Sequence, residues 1–300
     1  MNPYPKKTLY QVYGKFFNPI PYKKQYVMQI LRVRHKPKKI LFYPERPSSF
    51  YTIYKICHVL GCQITNDFRA DVDLAVWFED TTSSSLDGNI LALSKQVRFL
   101  NQACTDISKE RVAKAFKEVF GYGLDIDPET HSKYVRKSNS NTAHDGIIFD
   151  TPTLPETGFV YQAIINNRYS DLFKDIRAPV INGIIPFVYY NYKKNGDRFG
   201  HPAISNFVET ESALSRSEVD MIADFVNIMG LDVGELDILR DRDSKKIYVV
   251  DVNNTPYGPP RPLARGDRWK ALARLSRLFK ESFLTNVNEN SLRHLEATIK

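Results

Sequence analysis

The chain is 300 residues long, with 25% charged and 42% hydrophobic residues and a formal net charge of +8 at neutral pH. This length accommodates one large domain or two smaller domains that share a cleft. The composition is that of a globular protein, which excludes a repeat or low-complexity architecture. No apolar run approaches the roughly 20 residues of a membrane helix, and the first residues lack the apolar core of a secretory signal. Cys57, Cys62 and Cys104 have no metal-like spacing, so we expect reduced thiols and a cytoplasmic location.

Positive charge is concentrated at the N-terminal end, where ten basic residues precede Glu45, the first acidic residue. They are Lys6, Lys7, Lys15, Lys23, Lys24, Arg32, Arg34, Lys36, Lys38 and Lys39. Residues 1–38 also contain several aromatic residues, so this basic aromatic arm has two interpretations. It stacks nucleobases, or it packs its rings on the protein and leaves its lysines in solvent. The second is favoured because no nucleic-acid-binding motif accompanies the charge.

The first predicted elements alternate between strand and helix. Residues 40–44 and 72–78 are apolar runs typical of buried strands, and residues 63–65 form a shorter one. Residues 50–60 have the pattern of a helix that ends at Gly61. Strand–helix–strand order favours a parallel sheet. We therefore predict a small α/β domain over residues 39–100.

The middle of the chain mixes two helices with several strands. Ser108 is a good N-cap for a helix over 109–120, and Ser215 or Ser217 opens a second helix that runs to 229. Strands are predicted at 134–137, 159–165, 176–180 and 184–192, with a long polar loop over 138–146. Residues 268–283 have helical periodicity. The pattern predicts an α+β protein with two or three subdomains.

A hairpin near the C-terminal end brings acidic residues together. Residues 230–240 and 247–256 are apolar segments joined by a polar turn. Centring the hairpin on Ser244 places Asp237 and Asp251 opposite one another, with Cβ atoms roughly 4.5–5.5 Å apart. Asn253 lies on the same face, and Glu235, two residues before Asp237 on the same strand, faces the same side as Asp237. Two carboxylates and an amide on one patch favour a hard cation such as Mg²⁺. A solvated acidic face is the alternative, and a one-residue slip in register would separate the pair.

The order of these parts resembles the ATP-grasp superfamily. The matching segments extend from Ser108-Lys109 to Asn253-Asn254-Thr255-Pro256, and they cover about half of the chain. Asp175-Ile176-Arg177 and residues 193–199 are similar to the peptide-ligase branch that adds glutamate to a ribosomal protein. The resemblance implies two α+β subdomains that enclose a nucleotide cleft, over residues 101–265. A C-terminal helical segment over 266–300 would follow.

The resemblance also implies which residues contact the nucleotide. Lysines in such proteins contact the phosphates of ATP as point cations, and a linker strand between the two halves of the cleft faces the adenine edge. The corresponding residues here are Lys109, Lys137, Lys193, Gln162, Ala163 and Ile164. The polar loop beside Lys137 departs from the family because relatives have more glycine there. His144 in this loop is a candidate contact for substrate or phosphate, with a solvated surface histidine as the alternative.

The remaining implied roles concern metal binding and catalysis. Asp237, Asp251 and Asn253 correspond to ligands of one or two Mg²⁺ ions, although relatives often have glutamate at the position of Asp251. Arg177 and Arg198 correspond to catalytic residues that clamp phosphate or carboxylate groups, because a guanidinium binds such groups bidentately.

The implied activity is that of an ATP- and Mg²⁺-dependent carboxylate–amine ligase. ATP would convert a substrate carboxylate into an acyl phosphate, which an amine or similar nucleophile would then attack. The expected partners are small-molecule or peptide carboxylates and amines. One alternative is an ATP-grasp kinase that phosphorylates a hydroxyl group. Another is a non-catalytic protein that binds nucleic acid or an acidic surface through the basic arm.

Overall fold

The computed structural model describes residues 37–86, 88–141 and 145–285. Residues 1–36 of the predicted basic arm, His144 and the tail beyond residue 285 therefore lie outside the described residues. None of the helices described is both long enough and apolar enough to cross a membrane.

The N-terminal part is a parallel sheet, as the strand–helix–strand pattern predicts. Its strands pair in the order β2-β1-β3-β4 and are β1 (Lys39–Pro44), β2 (Gln63–Thr65), β3 (Leu74–Phe78) and β4 (Phe99–Leu100). Helix α1 (Thr52–Leu60) ends at Gly61, whose φ of 70° is a conformation that glycine adopts without steric cost. Helix α2 (Gly88–Leu93) and β4 are not predicted from the sequence, because each is too short to carry a periodic signal.

A three-stranded antiparallel sheet follows helix α3 (Lys109–Phe120). The Ser108 hydroxyl accepts a hydrogen bond from the Arg111 amide, which confirms the predicted N-cap. The strands pair in the order β6-β5-β7 and are β5 (Tyr134–Ser138), β6 (Ile147–Phe149) and β7 (Phe159–Gln162). The predicted strand over 159–165 therefore ends three residues early, at Gln162, and β6 is a strand that the sequence analysis does not predict.

The largest sheet has six antiparallel strands in the order β11-β10-β9-β12-β13, with β8 paired to β9. These strands are β8 (Arg168–Tyr169), β9 (Leu172–Ile181), β10 (Val188–Lys194), β11 (Ile204–Val208), β12 (Val233–Arg240) and β13 (Ile247–Asn253). Helices α4 (Thr210–Ala213) and α5 (Arg216–Met229) connect β11 to β12. A reciprocal pair of hydrogen bonds between Ser215 and Glu218 starts α5, and Gly230 ends it as predicted.

Helix α6 (Arg265–Phe279) connects the N-terminal sheet to the six-stranded sheet. It begins three residues before the predicted start at 268 and continues into a π-helical turn, Lys280–Leu284. Its buried residues Leu272, Leu275 and Phe279 share one apolar cluster with β1, β3 and α1, and with Ile181 and Val233 of the large sheet. This shared core fixes the N-terminal sheet against the larger one.

Asn101 adds polar contacts between the same two sheets. It follows β4, is 1% exposed and has a φ of 56°. Its Oδ1 accepts hydrogen bonds from the amides of Asp232 (2.8 Å) and Val233 (2.9 Å), and its Nδ2 donates to the Val233 carbonyl (2.8 Å). Its own amide donates to Asp232 Oδ2 at 2.7 Å. One side chain thus satisfies several buried backbone groups at the start of β12.

We expect Asn101→Ala to lower the free energy of unfolding by about 2–4 kcal/mol, because it leaves buried amides and a carbonyl without partners. Asn182→Ala is the matched control. Asn182 also has a positive φ, 52°, but it is exposed. Both positions therefore have the same kind of backbone strain, whereas only the Asn101 side chain makes buried hydrogen bonds. Urea denaturation of both variants measures the difference, and equal losses would contradict the role given to Asn101.

Candidate active site

A cavity of about 350 Å³ lies between the three-stranded sheet and the six-stranded sheet. Its lining combines apolar side chains with a high density of charged ones. Ten of the eleven residues that the sequence predicts for the site line this cavity: Lys109, Lys137, Gln162, Ala163, Arg177, Lys193, Arg198, Asp237, Asp251 and Asn253. The exception is Ile164, since the neighbouring Ile165 lines the cavity instead.

Asp237 and Asp251 are direct cross-strand partners, which confirms their predicted opposition, but the hairpin is not regular. Next to the turn, Ile238 pairs with Val249, so an unbroken ladder would place Val250 opposite Asp237. A register shift between Asp237 and Ile238 inserts one extra residue in β13 and brings Asp251 into that position.

The register shift also changes which side of the sheet the residues of β13 face. Val249 and Val252 are buried in the apolar core, whereas Val250 and Asp251 both line the cavity. In a regular strand, residues 249 and 251 would share one face. Because of the bulge, Val249 and Val252 of this strand pack in the core, while Asp251 lines the cavity.

Arg177 binds one of the two acids directly. It lies on β9 opposite Asp237, and its Nε and Nη2 donate to the two carboxylate oxygens at 2.8 and 2.9 Å. Its Nε is also 3.9 Å from Glu235 Oε2, and the nearby Asp237 raises the pKa of Arg177. Arg177 therefore supplies positive charge beside the two acids in addition to the cation that the sequence predicts there. The arginine supplies the positive charge that offsets their repulsion.

Asp251 differs from Asp237 in its hydrogen bonding. Its Oδ1 is inaccessible to solvent and makes no hydrogen bond within the described part of the chain. Burial raises the pKa of Asp251 to about 6, although the nearby Lys109 and Lys137 oppose this increase. An inaccessible carboxylate oxygen without a donor is a position that a cation would satisfy.

The donor chemistry of this patch fits a hard cation. Asp237, Asp251 and Asn253 supply oxygen atoms, which Mg²⁺ prefers. Asp237 has lone pairs beyond those that Arg177 uses, and Asn253 Oδ1 accepts a hydrogen bond from the Thr255 amide at 2.9 Å. Among the described residues, no group of three or more His, Cys, Asp and Glu side chains is arranged to hold a metal. The site would therefore need oxygen atoms from a ligand, as is usual for Mg²⁺.

Two lysines enter the cavity from the opposite wall. Lys137, on β5, donates to Gln162 Oε1 at 3.1 Å, and burial lowers its pKa to about 8. Lys109, the first residue of α3, donates to the Ser140 carbonyl at 2.6 Å. The polar loop is docked on the start of α3, because the Asn139 carbonyl accepts a hydrogen bond from the Lys109 amide. The loop thus orients Lys109, a contact that the sequence does not predict.

The linker after β7 differs in part from its predicted role. The amide of Ala163 donates to the Leu124 carbonyl at 2.8 Å. It is therefore already engaged, and it is not a free donor for an adenine edge. Leu124, Val135 and Ile165 line the same part of the cavity as apolar side chains.

Asp175 and Asn167 complete the cavity floor, and sequence analysis does not select either as a site residue. Lys193 Nζ binds Asp175 Oδ2 at 2.7 Å, and Asn167 Nδ2 donates to Asp175 Oδ1 at 2.8 Å. Arg198 donates to the Asn167 amide oxygen at 3.2 Å and to the Ile165 carbonyl. Burial raises the pKa of Asp175. The sequence signal that could have identified Asp175 is strand alternation, since Asp175 and Arg177 are two residues apart on one strand and face the same side.

Two loops meet above the cavity at Gly146. A Cβ atom at this position would lie 2.8 Å from the Phe199 ring, so only glycine permits the contact. Phe199, Gly200 and His201 line the cavity from the loop between β10 and β11. The polar loop and this second loop therefore close one side of the cavity together.

We expect the two acids to respond differently to neutralisation in metal-free buffer near neutral pH. Asp237→Asn should lower the free energy of unfolding by about 1–2 kcal/mol, because it weakens a partly exposed bidentate pair with Arg177. Asp251→Asn should not lower it and should raise it, because a pKa raised to about 6 means that the ionised carboxylate destabilises the native state at neutral pH. Urea denaturation of both variants measures the difference. A larger loss for Asp251→Asn would contradict the assignment of charges at the site.

Comparison with solved structures identifies the architecture. The D-alanine–D-alanine ligase from Bacillus anthracis aligns with a TM-score of 0.52 and 13% identity, over 82% of this chain and 96% of that chain. An ATP-grasp ligase associated with RiPPs from Chryseobacterium gregarium, in complex with ADP and a leader and core peptide, aligns with a TM-score of 0.45. Its identity is 13%, over 82% of this chain and 96% of that chain.

A RimK domain ATP-grasp protein from Sphaerobacter thermophilus aligns at 8% identity and a TM-score of 0.47, over 82% of this chain and all of that chain. No family model matches the chain, and no curated protein sequence matches it significantly. At these identities the likeness concerns the fold alone. The parallel N-terminal sheet and the antiparallel sheets around the cavity correspond to the structure from Bacillus anthracis, and the chain thus has the ATP-grasp fold.

Proposed function

We propose that the chain is an ATP- and Mg²⁺-dependent ligase that activates a carboxylate as an acyl phosphate and joins it to an amine. One observation carries the proposal. Lys137, a half-buried lysine with a lowered pKa, and Asp251, a carboxylate with an unpartnered oxygen, face the same cavity on opposing sheets. A polyphosphate carrying a divalent cation would satisfy both groups at once.

The lysines and arginines of the cavity are the proposed phosphate contacts. Lys137 has a neutral hydrogen-bond partner, Gln162, so an incoming phosphate oxygen would give its half-buried ammonium a direct anionic partner. Lys109 and Lys193 would act beside it as further point cations. The apolar residues Leu124 and Val135 offer the kind of surface on which a purine ring packs.

Asp237, Asp251 and Asn253 are the proposed metal ligands. A magnesium ion held by these residues would supply positive charge that stabilises the negative charge developing during phosphoryl transfer. The unpartnered Oδ1 of Asp251 supports this role. Arg177 is placed to orient Asp237, since it binds both oxygens of that carboxylate.

The protein's own contribution would be alignment and electrostatic stabilisation. Arg198, whose guanidinium is held by Asn167 and the Ile165 carbonyl, would bind the transferred phosphate or the substrate carboxylate. Lys193 is held by Asp175 on the neighbouring strand. The loops that meet at Gly146 and Phe199 would limit the access of water to the acyl phosphate.

The direct test is to incubate the purified chain with ATP, Mg²⁺ and pools of carboxylic acids and amines. ADP release that requires an acid, together with an amide product, is the expected result. ADP release that requires a hydroxyl acceptor and yields a phosphate ester would instead identify a kinase. No ADP release, with Asp251→Ala indistinguishable from the wild type, would overturn the proposal.

Nucleotide binding is expected to depend on Lys137 and Asp251. Mg-ADP should raise the melting temperature of the wild type, because a ligand that binds the native state stabilises it. Lys137→Met and Asp251→Asn should lose most of this increase. Lys174→Met is the matched control, because Lys174 also lies on a sheet and has a pKa lowered by burial, but it packs on Tyr169 and Tyr190 outside the cavity. A full shift in Lys137→Met would exclude the proposed phosphate contact.

Nucleotide binding near pH 8 is also expected to take up protons. Burial lowers the pKa of Lys137 to about 8, so part of the free protein carries a neutral amine at that pH. An anionic phosphate raises this pKa, so binding should take up about half a proton at pH 8, and affinity should fall as the pH rises through 8.

Calorimetric titration with ADP in two buffers of different ionisation enthalpy measures this uptake. Lys137→Arg retains the positive charge without titrating in this range, so its uptake should be close to zero. An uptake equal to that of the wild type would assign the titration to another group.

A further inference from the structure

Tyr257 lies at the edge of the cavity and has no role in the proposed nucleotide site. It lines the cavity, it is 53% exposed, and it follows Asn253 by four residues. Its ring stacks on Tyr51 of the N-terminal sheet region, with centroids 4.5 Å apart and an interplanar angle of 23°. Tyr51 itself is buried. One face of the Tyr257 ring is therefore covered by Tyr51, and the remaining exposed surface adjoins the cavity.

A chain of hydrogen bonds connects Tyr257 to a carboxylate. The Tyr51 hydroxyl donates to Asp80 Oδ2 at 2.9 Å, and the Tyr257 hydroxyl donates to the Tyr51 oxygen at 3.1 Å. Asp80 Oδ1 accepts a second hydrogen bond from Thr255 Oγ1 at 2.9 Å. Each tyrosine has one hydroxyl hydrogen. Because the Tyr257 hydrogen is donated to Tyr51, whose own hydrogen is donated to Asp80, the Tyr257 oxygen is left as an acceptor.

Backbone contacts hold Tyr257 in this position. The Thr52 amide donates to the Pro256 carbonyl at 2.9 Å, and Tyr51 and Tyr257 form an isolated β-bridge. A Cβ atom at Gly258 would lie 2.8 Å from Thr52 Oγ1, so the chain after Tyr257 approaches α1 closely. Lys55 on α1 donates to the Gly258 carbonyl as well. The N-terminal region thus fixes the segment that follows the proposed metal ligands.

We propose that Tyr257, positioned by Tyr51 and Asp80, binds the amine substrate of the ligase reaction as a primary ammonium group, before that group loses a proton to solvent and attacks the acyl phosphate. An aromatic face attracts an ammonium cation, and an oxygen that only accepts can bind its N–H groups. The same oxygen has no hydrogen to offer a carboxylate. The arrangement therefore distinguishes an amine from an acid by chemistry, and not by size.

The charge distribution in the cavity supports this placement. Its cationic side chains come from α3, from strands β5, β9 and β10, and from the loop after β10. The segment from 247 to 257, which ends at Tyr257, contains no Lys, Arg or His. An ammonium group is repelled by the cationic walls that suit phosphates, whereas the segment that ends at Tyr257 adds no positive charge and the nearby Lys55 is engaged with the Phe50 and Gly258 carbonyls. The inference rests on the proposed function, since it names the subsite of the second substrate.

The test measures binding of n-butylammonium to the full-length chain in the presence of Mg-ADP, by ligand-observed saturation-transfer NMR. We expect saturable binding of n-butylammonium, and no saturable binding of butyrate. Tyr257→Ala should abolish it. Tyr257→Phe and Asp80→Asn should weaken it about 3- to 30-fold, the range that a cation–π or charge-assisted contact supports. Tyr51→Phe, which retains the ring stack but removes the hydrogen-bond acceptor of Tyr257, should also weaken it.

Two controls separate this role from a structural one. Tyr169→Phe should not change n-butylammonium binding, because Tyr169 is equally exposed at 53% but packs on Tyr192 and does not line the cavity. Each variant should retain the Mg-ADP affinity of the wild type, which a general loss of structure would lower. Wild-type binding of n-butylammonium by Tyr257→Ala, or equal binding of butyrate, would overturn the inference.

The outcomes also separate this inference from the proposed function. Mg-ADP binding without saturable binding of n-butylammonium would refute the amine subsite and leave the nucleotide site intact. Absence of Mg-ADP binding, with binding of n-butylammonium that still depends on Tyr257, would instead refute the proposed nucleotide function.

Discussion

The register shift between β12 and β13 is the constraint on which the site depends. A regular hairpin would direct Asp251 and Val249 to the same face, so that either the carboxylate would enter the apolar core or the valine would leave it. The extra residue in β13 removes this conflict, since Val249 remains in the core and Asp251 lines the cavity. Burial of Val249 and Val252 in the apolar core supplies stabilisation of the order of 1.5–3 kcal/mol per side chain. That free energy holds the bulge in place.

Around this bulge, charges are paired across strands and not along them. Arg177 on β9 binds Asp237 on β12, and Lys193 on β10 binds Asp175 on β9. Each pair joins neighbouring strands of one sheet, so the backbone ladder fixes the distances between the charges. Asp251 is the exception, because its Oδ1 has no donor within the described residues. Preorganised charge beside an unsatisfied acceptor in the cavity supports the proposed site for an anionic ligand and a cation.

The N-terminal sheet contributes to the cavity without providing its charged walls. Asn101 binds the start of β12, and Tyr51 stacks on Tyr257 just after β13. The two ends of the hairpin that carries Asp237 and Asp251 are therefore both anchored to the same small sheet. Helix α6 packs on this sheet as well, through Leu272 and Leu275. Movement of the N-terminal region relative to the large sheet would thus move the wall that Tyr257 forms.

The sequence by itself determined the elements whose signals are local. Ser108 located the start of α3, Ser215 or Ser217 located the start of α5, and two apolar segments around a polar turn located the hairpin with its two acids, because caps and strand patterns depend on near neighbours. With the resemblance of their order to ATP-grasp proteins, these elements also indicated ten of the residues that line the cavity.

Only the tertiary structure decided the partners of those residues. The bulge in β13, the pairing of Arg177 with Asp237 and the engagement of the Ala163 amide with Leu124 follow from which strands are neighbours and in what register. The stack of Tyr51 on Tyr257 joins residues 206 positions apart. Such contacts have no local signature, since they arise when distant apolar faces are buried together and the polar groups beside them must find partners.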